Sequence, residues 1–291
     1  MRTRRTTLAA TVAIASLALA ACGGGDSDDD AAAPAPTTAS FPAGTTMAAL
    51  QERGTLKVGV KFDQPLFGEK GLSGGPEGLD VEMARIVAGK LGIPADKIEF
   101  QEAASKNREP FLQQGTVDLV IATYTINDTR KAIVDFAGPY YVTGQSLMVR
   151  KDDTTINTKA DLAGKTVCSV TGSTPLQRIR TEAPQATVIE FDTYGKCATA
   201  VENKQADAVT TDEAILLGLV SKNEAAFKVV GEQFSKEPYG IGLKKGDTAF
   251  RTFLNDTIEA AYADGTYEAA LKKTVGTVQD DLPAGPAVER Y

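Results

Sequence analysis

The stretches GTVDLVIAT (residues 115–123) and QADAVTTD (residues 205–212) decide the fold, because they share one order of residue types. Each runs from a helix end through an acidic residue into an apolar strand and ends in polar residues. In open α/β sheets, ligands bind at the carboxyl ends of such strands. Two such units predict two α/β lobes whose strand ends face each other across a cleft. The ordinary punctuation of any α/β fold would give the same pattern.

Strand-like and helix-like segments alternate on both sides of these two stretches. The first series predicts strands at 56–60, 98–100 and 117–122, which alternate with helices at 79–91 and 108–114. The second series predicts strands at 166–170, 187–191 and 208–210, which alternate with helices at 174–182, 196–203 and 212–221. After the segment 239–243 it predicts two further helices, at 248–263 and 267–273. This alternation favours a mostly parallel sheet covered by helices.

The first 21 residues have the pattern of an export signal. Three arginines lie within the first five residues, and an uncharged run of small and apolar residues, too short to span a bilayer, covers 8–21. The tripeptide LAA directly precedes Cys22, as in the lipobox of bacterial lipoproteins. We therefore predict cleavage after residue 21 and lipidation of Cys22. Two or more acyl chains on Cys22 would anchor the protein stably. Ordinary signal cleavage beside an incidental cysteine is the alternative.

Composition limits the functions open to the mature chain. Removal of residues 1–21 leaves 28 basic and 38 acidic residues, a net charge of −10, which argues against nucleic acid as a partner. The chain has no histidine, which excludes Ser-His-Asp and Cys-His nucleophilic sites and His-ligated metals. No cofactor or metal is expected. Residues 22–45 are rich in Gly, Asp, Ala, Pro and Thr and are predicted to form a flexible tether.

Two cysteines remain after Cys22, at positions 168 and 197. An even pair in an exported protein favours a disulfide between Cys168 and Cys197. Two buried free thiols are the alternative.

Several short motifs follow one another in a fixed order along the chain. They are GLDVEM at 78–83, NR at 107–108, TINDTR at 125–130, VDF at 134–136 and GPYY at 138–141. In this order and spacing they resemble the family 3 bacterial solute-binding proteins, the polar amino-acid receptors of ABC importers. KFDQP at 61–65, CSVTGSTP at 168–175 and YGIGLKK at 239–245 resemble, more narrowly, the glutamate-binding lipoproteins of actinobacteria. The resemblance runs from residue 56 to residue 273.

The resemblance implies an α/β fold of the type II periplasmic-binding-protein kind. Two lobes joined by two crossing strands would enclose the ligand cleft and close over the ligand by a hinge motion. The crossings would fall near 140–144 and 238–241. The implied ranges are 46–141 with 242–280 for lobe 1, 145–237 for lobe 2, and 281–291 for a C-terminal tail.

The resemblance also implies a function. An extracytoplasmic lipoprotein, anchored to the outer face of the cytoplasmic membrane, would bind L-glutamate or a related amino acid (aspartate, glutamine or asparagine). It would pass this ligand to the permease subunits of an ABC importer. We expect a monomer that catalyses no reaction. Two alternatives stay open: a ligand sensor for a membrane kinase, and a dehydratase-like enzyme on the same fold.

The α-carboxylate and α-ammonium of an amino acid need charge-matched partners when they are buried. The resemblance assigns the carboxylate to Arg130, whose planar guanidinium can engage both oxygens, and the ammonium to Asp212. The alternatives are an arginine at a solvated helix start and an aspartate that caps the following helix. Thr123 and Thr125 match positions that contact either group, and ordinary strand-end threonines are their alternative.

The remaining candidates follow from a helix start and from the ligand side chain. Ser173 and Thr174 precede Pro175 at a helix start, where backbone N–H groups bind anions, although Thr174 as a simple N-cap is the alternative. Ser105 and Arg108 match positions that face the side chain in acidic amino-acid receptors. Lys61 is the third candidate for a distal carboxylate, with a solvated surface lysine as its alternative.

Overall fold

The computed structural model describes residues 40–291, so the predicted signal peptide, Cys22 and most of the predicted tether lie outside the described residues. Its α-helices, in chain order, are α1 (Thr46–Arg53), α2 (Leu79–Lys90), α3 (Arg108–Gln114), α4 (Asp128–Lys131), α5 (Thr174–Glu182), α6 (Tyr194–Glu202), α7 (Glu213–Lys222), α8 (Thr248–Asp264) and α9 (Thr266–Lys273). Its strands are β1 (Leu56–Val60), β2 (Asp63–Gln64), β3 (Gly68–Glu69), β4 (Ile98–Glu102), β5 (Leu119–Val120), β6 (Asp135–Thr143), β7 (Gln145–Arg150), β8 (Thr166–Val170), β9 (Thr187–Phe191), β10 (Ala208–Asp212), β11 (Phe227–Val230) and β12 (Glu237–Leu243).

Residues 40–291 form two five-stranded sheets and one small hairpin of β2 and β3. The strand order is β4-β1-β5-β12-β6 in the first sheet and β11-β7-β10-β8-β9 in the second. In each sheet, two neighbouring pairs are parallel and two are antiparallel. The prediction of mostly parallel sheets is therefore wrong. Helical crossovers produce the parallel pairs, whereas all four antiparallel pairs involve β7 or β12, the strands that enter their sheets from the other lobe.

The two longest paired strands connect the lobes. β6 and β12 pair antiparallel from Asp135↔Leu243 in lobe 1 to Thr143↔Glu237 beside lobe 2. After β6, Gly144 turns the chain directly into β7 of the second sheet, and a Cβ atom at Gly144 would collide with the carbonyl oxygen of Ser235. These are the two crossing strands expected from the resemblance.

The hydrophobic core of lobe 1 confirms the helical spacing that predicts α2. Leu79, Met83 and Val87 lie on one face of this helix, and all three are fully buried. Apolar residues at every fourth position cover one stripe of a helix, which is the stripe that a sheet can bury. Lobe 2 has its own buried clusters between its sheet and its helices.

Both ends of the described chain pack on lobe 1. The ring of Phe41 makes an edge contact with the ring of Phe253 at 5.4 Å, so Phe41, which falls inside the range predicted as a tether, packs on lobe 1. The C-terminal segment 281–291, predicted as a tail, is bound to lobe 1 as well: Leu282 and Val288 pack against the core, and the backbone N–H of Glu289 donates to the carbonyl of Gly138. Burial of aromatic and aliphatic side chains fixes both segments.

The predicted disulfide is present. Cys168 on β8 bonds to Cys197 on α6, with Cα atoms 5.5 Å apart. It joins the strand that leads into the Gly172–Thr174 loop to the helix that packs on it.

The Cys168→Ser, Cys197→Ser double variant should lose about 3–4 kcal/mol of free energy of unfolding. The bond spans 29 residues, and closing a loop of this length restricts the unfolded chain. Urea unfolding followed by circular dichroism measures the difference, and wild-type protein unfolded in excess dithiothreitol should match the variant. Equal stability of the oxidised wild type and the variant would contradict this account.

Candidate functional site

Polar side chains from both lobes meet at the carboxyl ends of β5 and β10. They line a narrow cleft whose free volume is only about 10 Å³. The residues that line this cleft are Gln64, Ser105, Arg108, Thr123, Thr125, Ser173, Thr174, Pro175, Tyr194, Asp212 and Ile215. Seven of the nine predicted ligand residues are in this lining; Arg130 and Lys61 lie directly behind it.

Asp212 ends β10 and is almost completely buried. Its Oδ2 accepts a hydrogen bond from the Tyr239 hydroxyl at 2.6 Å, whereas Oδ1 has no hydrogen-bond partner in the described part of the chain. Although Asp212 stands at the N-cap position of α7, its side chain makes no capping bond, so the helix-cap alternative is wrong. Burial, and then the charge of Glu237, raise the pKa of this carboxyl to about 7. A buried carboxylate with one free oxygen is suited to a cation.

Arg130 projects from the short helix α4, whose N-cap is the side chain of Asn127. Its Nη1 donates to the carbonyl of Thr125 at 2.7 Å, its Nη2 to the carbonyl of Gly172 in lobe 2 at 3.2 Å, and its Nε lies 3.2 Å from a carboxylate oxygen of Glu109. The side chain is buried, so the alternative of a solvated arginine is wrong. Burial and the nearby charge of Arg108 lower the pKa of Arg130 to about 10.

Arg108 holds the end of β5 in place. Its Nε donates to the carbonyl of Ser105, and its Nη1 to the carbonyls of Ala122 and Thr123, at 3.0 to 3.2 Å. The guanidinium also lies 4.4 Å from the ring centre of Tyr124, and the guanidinium of Arg130 contacts the same ring at 5.0 Å. The Nη2 of Arg108 donates to the carbonyl of Gly172 in lobe 2 at 3.5 Å, so each nitrogen of this guanidinium is engaged by a backbone carbonyl.

A buried carboxylate behind the cleft fixes the conformation of Thr123. The backbone of Thr123 has a φ of 44°, a left-handed conformation that costs a non-glycine residue free energy. Its N–H donates to Asp80 Oδ2 at 2.9 Å, and its hydroxyl contacts Gln64 Oε1 at 2.8 Å. Asp80 is fully buried and also accepts a bond from the Tyr140 hydroxyl. Burial raises the pKa of Asp80 to about 7.

The start of α5 brings two hydroxyl groups to the cleft. The cap of this helix is Ser173, whose Oγ accepts from the N–H of Leu176, so the alternative of Thr174 as a simple N-cap is wrong. The hydroxyl of Thr174 donates instead to Glu237 Oε2 at 2.8 Å and lies 3.4 Å from the hydroxyl of Thr125 in lobe 1.

Lys61 is a buried lysine rather than a solvated one. Only 3% of its surface is exposed, and its Nζ donates to Ser105 Oγ at 2.8 Å. Burial, and then the charge of Arg108, lower its pKa to about 7, while Asp63 opposes this shift. Because Ser105 Oγ accepts from Lys61, the hydroxyl proton of Ser105 is free to point into the cleft.

Sequence reasoning missed Gln64, Tyr194 and Asp80. Asp80 is inside the GLDVEM motif and Gln64 inside KFDQP, so both motifs marked these residues. Neither motif indicated that its residue would bond to Thr123. Tyr194 begins α6 in lobe 2, and its N–H donates to Asp63 Oδ2 of lobe 1 at 2.8 Å. This bond and the Arg130–Gly172 bond join the lobes, so the structure shows them closed on each other.

Among residues 40–291, no cluster of three acidic or cysteine side chains is arranged to hold a metal ion. No helix within that range is long and apolar enough to cross a membrane.

Comparison with known proteins shows relatives that cover most of the chain. The glutamate-binding protein GluB of Corynebacterium efficiens is 39% identical over 254 residues, which cover 82% of this chain and 86% of that protein. The glutamine-binding protein of Geobacillus stearothermophilus is 44% identical over 218 residues, which cover 74% of this chain and 82% of that protein.

A solved structure and a family model agree with these relatives. An ancestral arginine-binding protein bound to glutamine superposes with a TM-score of 0.73 at 38% identity, covering 77% of this chain and 99% of that one. This similarity confirms the type II two-lobed fold. The model of the bacterial extracellular solute-binding proteins, family 3, matches residues 56–277. The chain therefore belongs to the family 3 bacterial extracellular solute-binding proteins.

Proposed function

We propose that this protein binds L-glutamate, or a closely related polar amino acid, between its lobes and delivers it to the permease of an ABC importer. The observation that carries the proposal is Asp212 Oδ1, a buried and unpartnered carboxylate oxygen on a residue that lines the cleft together with Arg108 of lobe 1. The names of the relatives, glutamate-binding and glutamine-binding, support this class of ligand. A cation acceptor and guanidinium donors on opposite walls suit a zwitterion.

The α-groups of the ligand have partners on both lobes. Asp212 accepts from the α-ammonium, and Arg130 pairs with the α-carboxylate. Because Thr125 and Glu109 hold Nη1 and Nε of Arg130, the ligand engages Nη2, which otherwise donates to the Gly172 carbonyl. Thr123 and Thr125 supply backbone and hydroxyl groups from lobe 1, and the Ser173–Thr174 start of α5 supplies donors from lobe 2. Because the partners come from both lobes, the ligand favours the closed form.

The ligand side chain lies toward the corner formed by Lys61, Ser105 and Arg108. Ser105 lines the cleft, and Lys61 donates to it from behind, so a distal carboxylate can accept from Ser105 while it is attracted by the charge of Lys61. Two cations at this corner, Lys61 and Arg108, favour glutamate over glutamine.

Calorimetric titration of ligand-stripped protein tests the proposal. Glutamate should bind one to one, aspartate and glutamine more weakly, and arginine not at all. A preference for glutamine would keep the transport role but remove Lys61 from carboxylate recognition. Failure of glutamate, aspartate, glutamine, asparagine and arginine to bind would refute the ligand class. Consumption of the bound amino acid during the titration would favour an enzyme instead.

We infer that the protein is an extracytoplasmic monomer held to the membrane through acyl chains on Cys22. A lipid anchor suits a receptor that hands its ligand to a permease in the same membrane. Cells fed radiolabelled palmitate should label the wild-type protein and not the Cys22→Ser variant. Equal labelling would exclude Cys22 as the anchor, and release of both proteins into the medium would exclude anchoring.

A further inference from the structure

Each of the two crossing strands carries a buried tyrosine that donates its hydroxyl to a buried carboxylate. On β6, the hydroxyl of Tyr140 lies 2.5 Å from Asp80 Oδ1 in lobe 1. On β12, the hydroxyl of Tyr239 lies 2.6 Å from Asp212 Oδ2 in lobe 2. Both tyrosines are fully buried, and their ring centres are 6.4 Å apart. The two carboxylates thus take one hydrogen bond each from the crossing strands.

The two carboxylates differ in the use of their second oxygen. Asp80 Oδ2 accepts from the backbone N–H of Thr123, so both oxygens of Asp80 are engaged within the protein. Asp212 Oδ1 has no partner in the described chain, and Asp212 is one of the residues that line the cleft. The Tyr239 hydroxyl is therefore the hydrogen bond that sets which oxygen of Asp212 faces a ligand.

Tyr239 is tied to lobe 1 by its own backbone. The N–H of Gly240 donates to the carbonyl of Tyr124 at 3.0 Å, and the N–H of Ile126 donates to the carbonyl of Pro238 at 2.8 Å. These bonds enclose Thr125, so the segment that carries Thr125 and the segment that carries Tyr239 are held together. Asp212, by contrast, belongs to the second sheet, where it pairs with Gln145. The hydrogen bond from the Tyr239 hydroxyl to Asp212 therefore joins a backbone segment held to lobe 1 to a side chain of lobe 2.

We propose that Tyr239 is a positioning residue: its hydroxyl orients the Asp212 carboxylate so that Oδ1 receives the ligand ammonium, and it aligns this group of lobe 2 with Thr125 of lobe 1. This inference rests on the proposed function, since it takes Asp212 as the ammonium acceptor. A hydroxyl on a crossing strand is suited to this task, because the strand runs from one lobe to the other.

The charged and titratable groups that face Asp212 come from four elements besides its own. Glu237 and Tyr239 lie on β12, Arg108 on α3 and Arg130 on α4, and the pKa of Tyr194 on α6 is raised to about 12 by burial and by Asp212. Burial and Glu237 raise the pKa of Asp212, and the Tyr239 hydrogen bond opposes this rise. Loss of the hydroxyl should therefore raise the pKa of Asp212 further.

Tyr239→Phe is the test variant, and Tyr267→Phe is the matched control. Phenylalanine keeps the ring contacts of Tyr239 with Phe67 and Tyr141 and removes only the hydroxyl. Tyr267 is also a buried tyrosine; its hydroxyl donates to the carbonyl of Tyr140 on the other crossing strand and touches no carboxylate. Circular dichroism and thermal unfolding verify that both variants fold.

Calorimetric titration with glutamate from pH 5 to pH 8 gives the first readout. Tyr239→Phe should weaken binding about ten- to hundredfold at pH 7, the range for a hydrogen bond to a charged group, and should move the acidic decline of affinity to higher pH. Tyr267→Phe should leave the midpoint of that decline unchanged. Affinity of Tyr239→Phe within threefold of wild type, or equal shifts in both variants, would overturn the proposal.

The titration of Asp212 itself gives a readout that needs no ligand. In protein labelled with 13C at aspartate carboxyls, the Asp212 signal, assigned by its loss in Asp212→Asn, should titrate at higher pH in Tyr239→Phe than in wild type. An unchanged midpoint would overturn the role of Tyr239 even if glutamate binds. A midpoint shifted in Tyr239→Phe, together with a wild-type protein that binds no amino acid, would support the hydrogen bond and refute the proposed function.

Discussion

The Asp212→Asn variant should lose most of its affinity for glutamate and, at the same time, become more stable without ligand. Removal of one partner from a buried charge pair costs about 2–5 kcal/mol of binding free energy, roughly thirtyfold to several thousandfold in Kd. Asparagine has nearly the same shape and can still accept from Tyr239, so the loss reports the charge that would face the ligand ammonium.

The gain in stability follows from the direction of the pKa shift. The pKa of Asp212 is raised from 3.8 to about 7 in the folded protein, chiefly by burial. Between these two values the folded state binds more protons than the unfolded state, so Asp212 destabilises the fold increasingly as pH rises from about 4 to about 7. At and above pH 7 the penalty reaches at most about 4 kcal/mol, and asparagine removes it.

Calorimetric titration and thermal unfolding at pH 5 and pH 8 measure the two effects. The stabilisation should be larger at pH 8 than at pH 5. Asp207→Asn is the matched control, because Asp207 precedes the amino end of the same strand and accepts only from the backbone N–H of Thr166. This control should lose stability and keep its affinity. Retained affinity in Asp212→Asn would remove Asp212 from the site.

The second large effect concerns Lys61 and pH. Glutamate affinity of the wild type should fall on both sides of pH 7, whereas glutamine affinity should fall only on the acidic side. Below pH 7, protonation of Asp212 weakens the ammonium site for both ligands. Above pH 7, Lys61, whose pKa is lowered to about 7 chiefly by burial, loses the proton that attracts a distal carboxylate. Each pH unit above 7 then costs glutamate up to about tenfold in Kd.

The Lys61→Met variant should weaken glutamate binding at pH 7 by about thirtyfold or more and remove the alkaline decline. Glutamine affinity should change little, because its carboxamide carries no charge. Lys57→Met, on the strand β1 that directly precedes Lys61, is the control and should behave as wild type. Calorimetry from pH 6 to pH 9 with both ligands makes the comparison. Equal losses for glutamate and glutamine would show that Lys61 does not recognise the side chain.

Local periodicity predicted much of the fold. The helix from Leu79 and the strands Thr166–Val170 and Thr187–Phe191 appear where the pattern of apolar residues placed them, because that pattern depends on the repeat of the element itself. The strands Gln145–Arg150 and Phe227–Val230 were missed. The first is buried on both faces, so its residues need not alternate between apolar and polar types, and that alternation is the pattern that predicts a half-buried strand.

The candidate site was predicted in its residue types but not in its arrangement. The strand-end residues Thr123 and Asp212 carry polar atoms in the cleft, as the repeated stretches indicate. The bond from Tyr239 to Asp212 spans 27 positions, and the bond from Thr123 to Asp80 spans 43. No local pattern encodes such pairs, since they depend on which strands become neighbours.

The sequence by itself determined the cysteine pair, the two α/β series and the family, and it predicted the export signal. Each of these depends on composition, local periodicity or the order of motifs. Only the tertiary structure decided that the sheets are mixed, that Lys61 is buried rather than solvated, and that one oxygen of Asp212 is engaged while the other is free. Burial and hydrogen-bond pairing arise from segments far apart in the chain, and they set the pKa of a side chain more strongly than its sequence neighbours do.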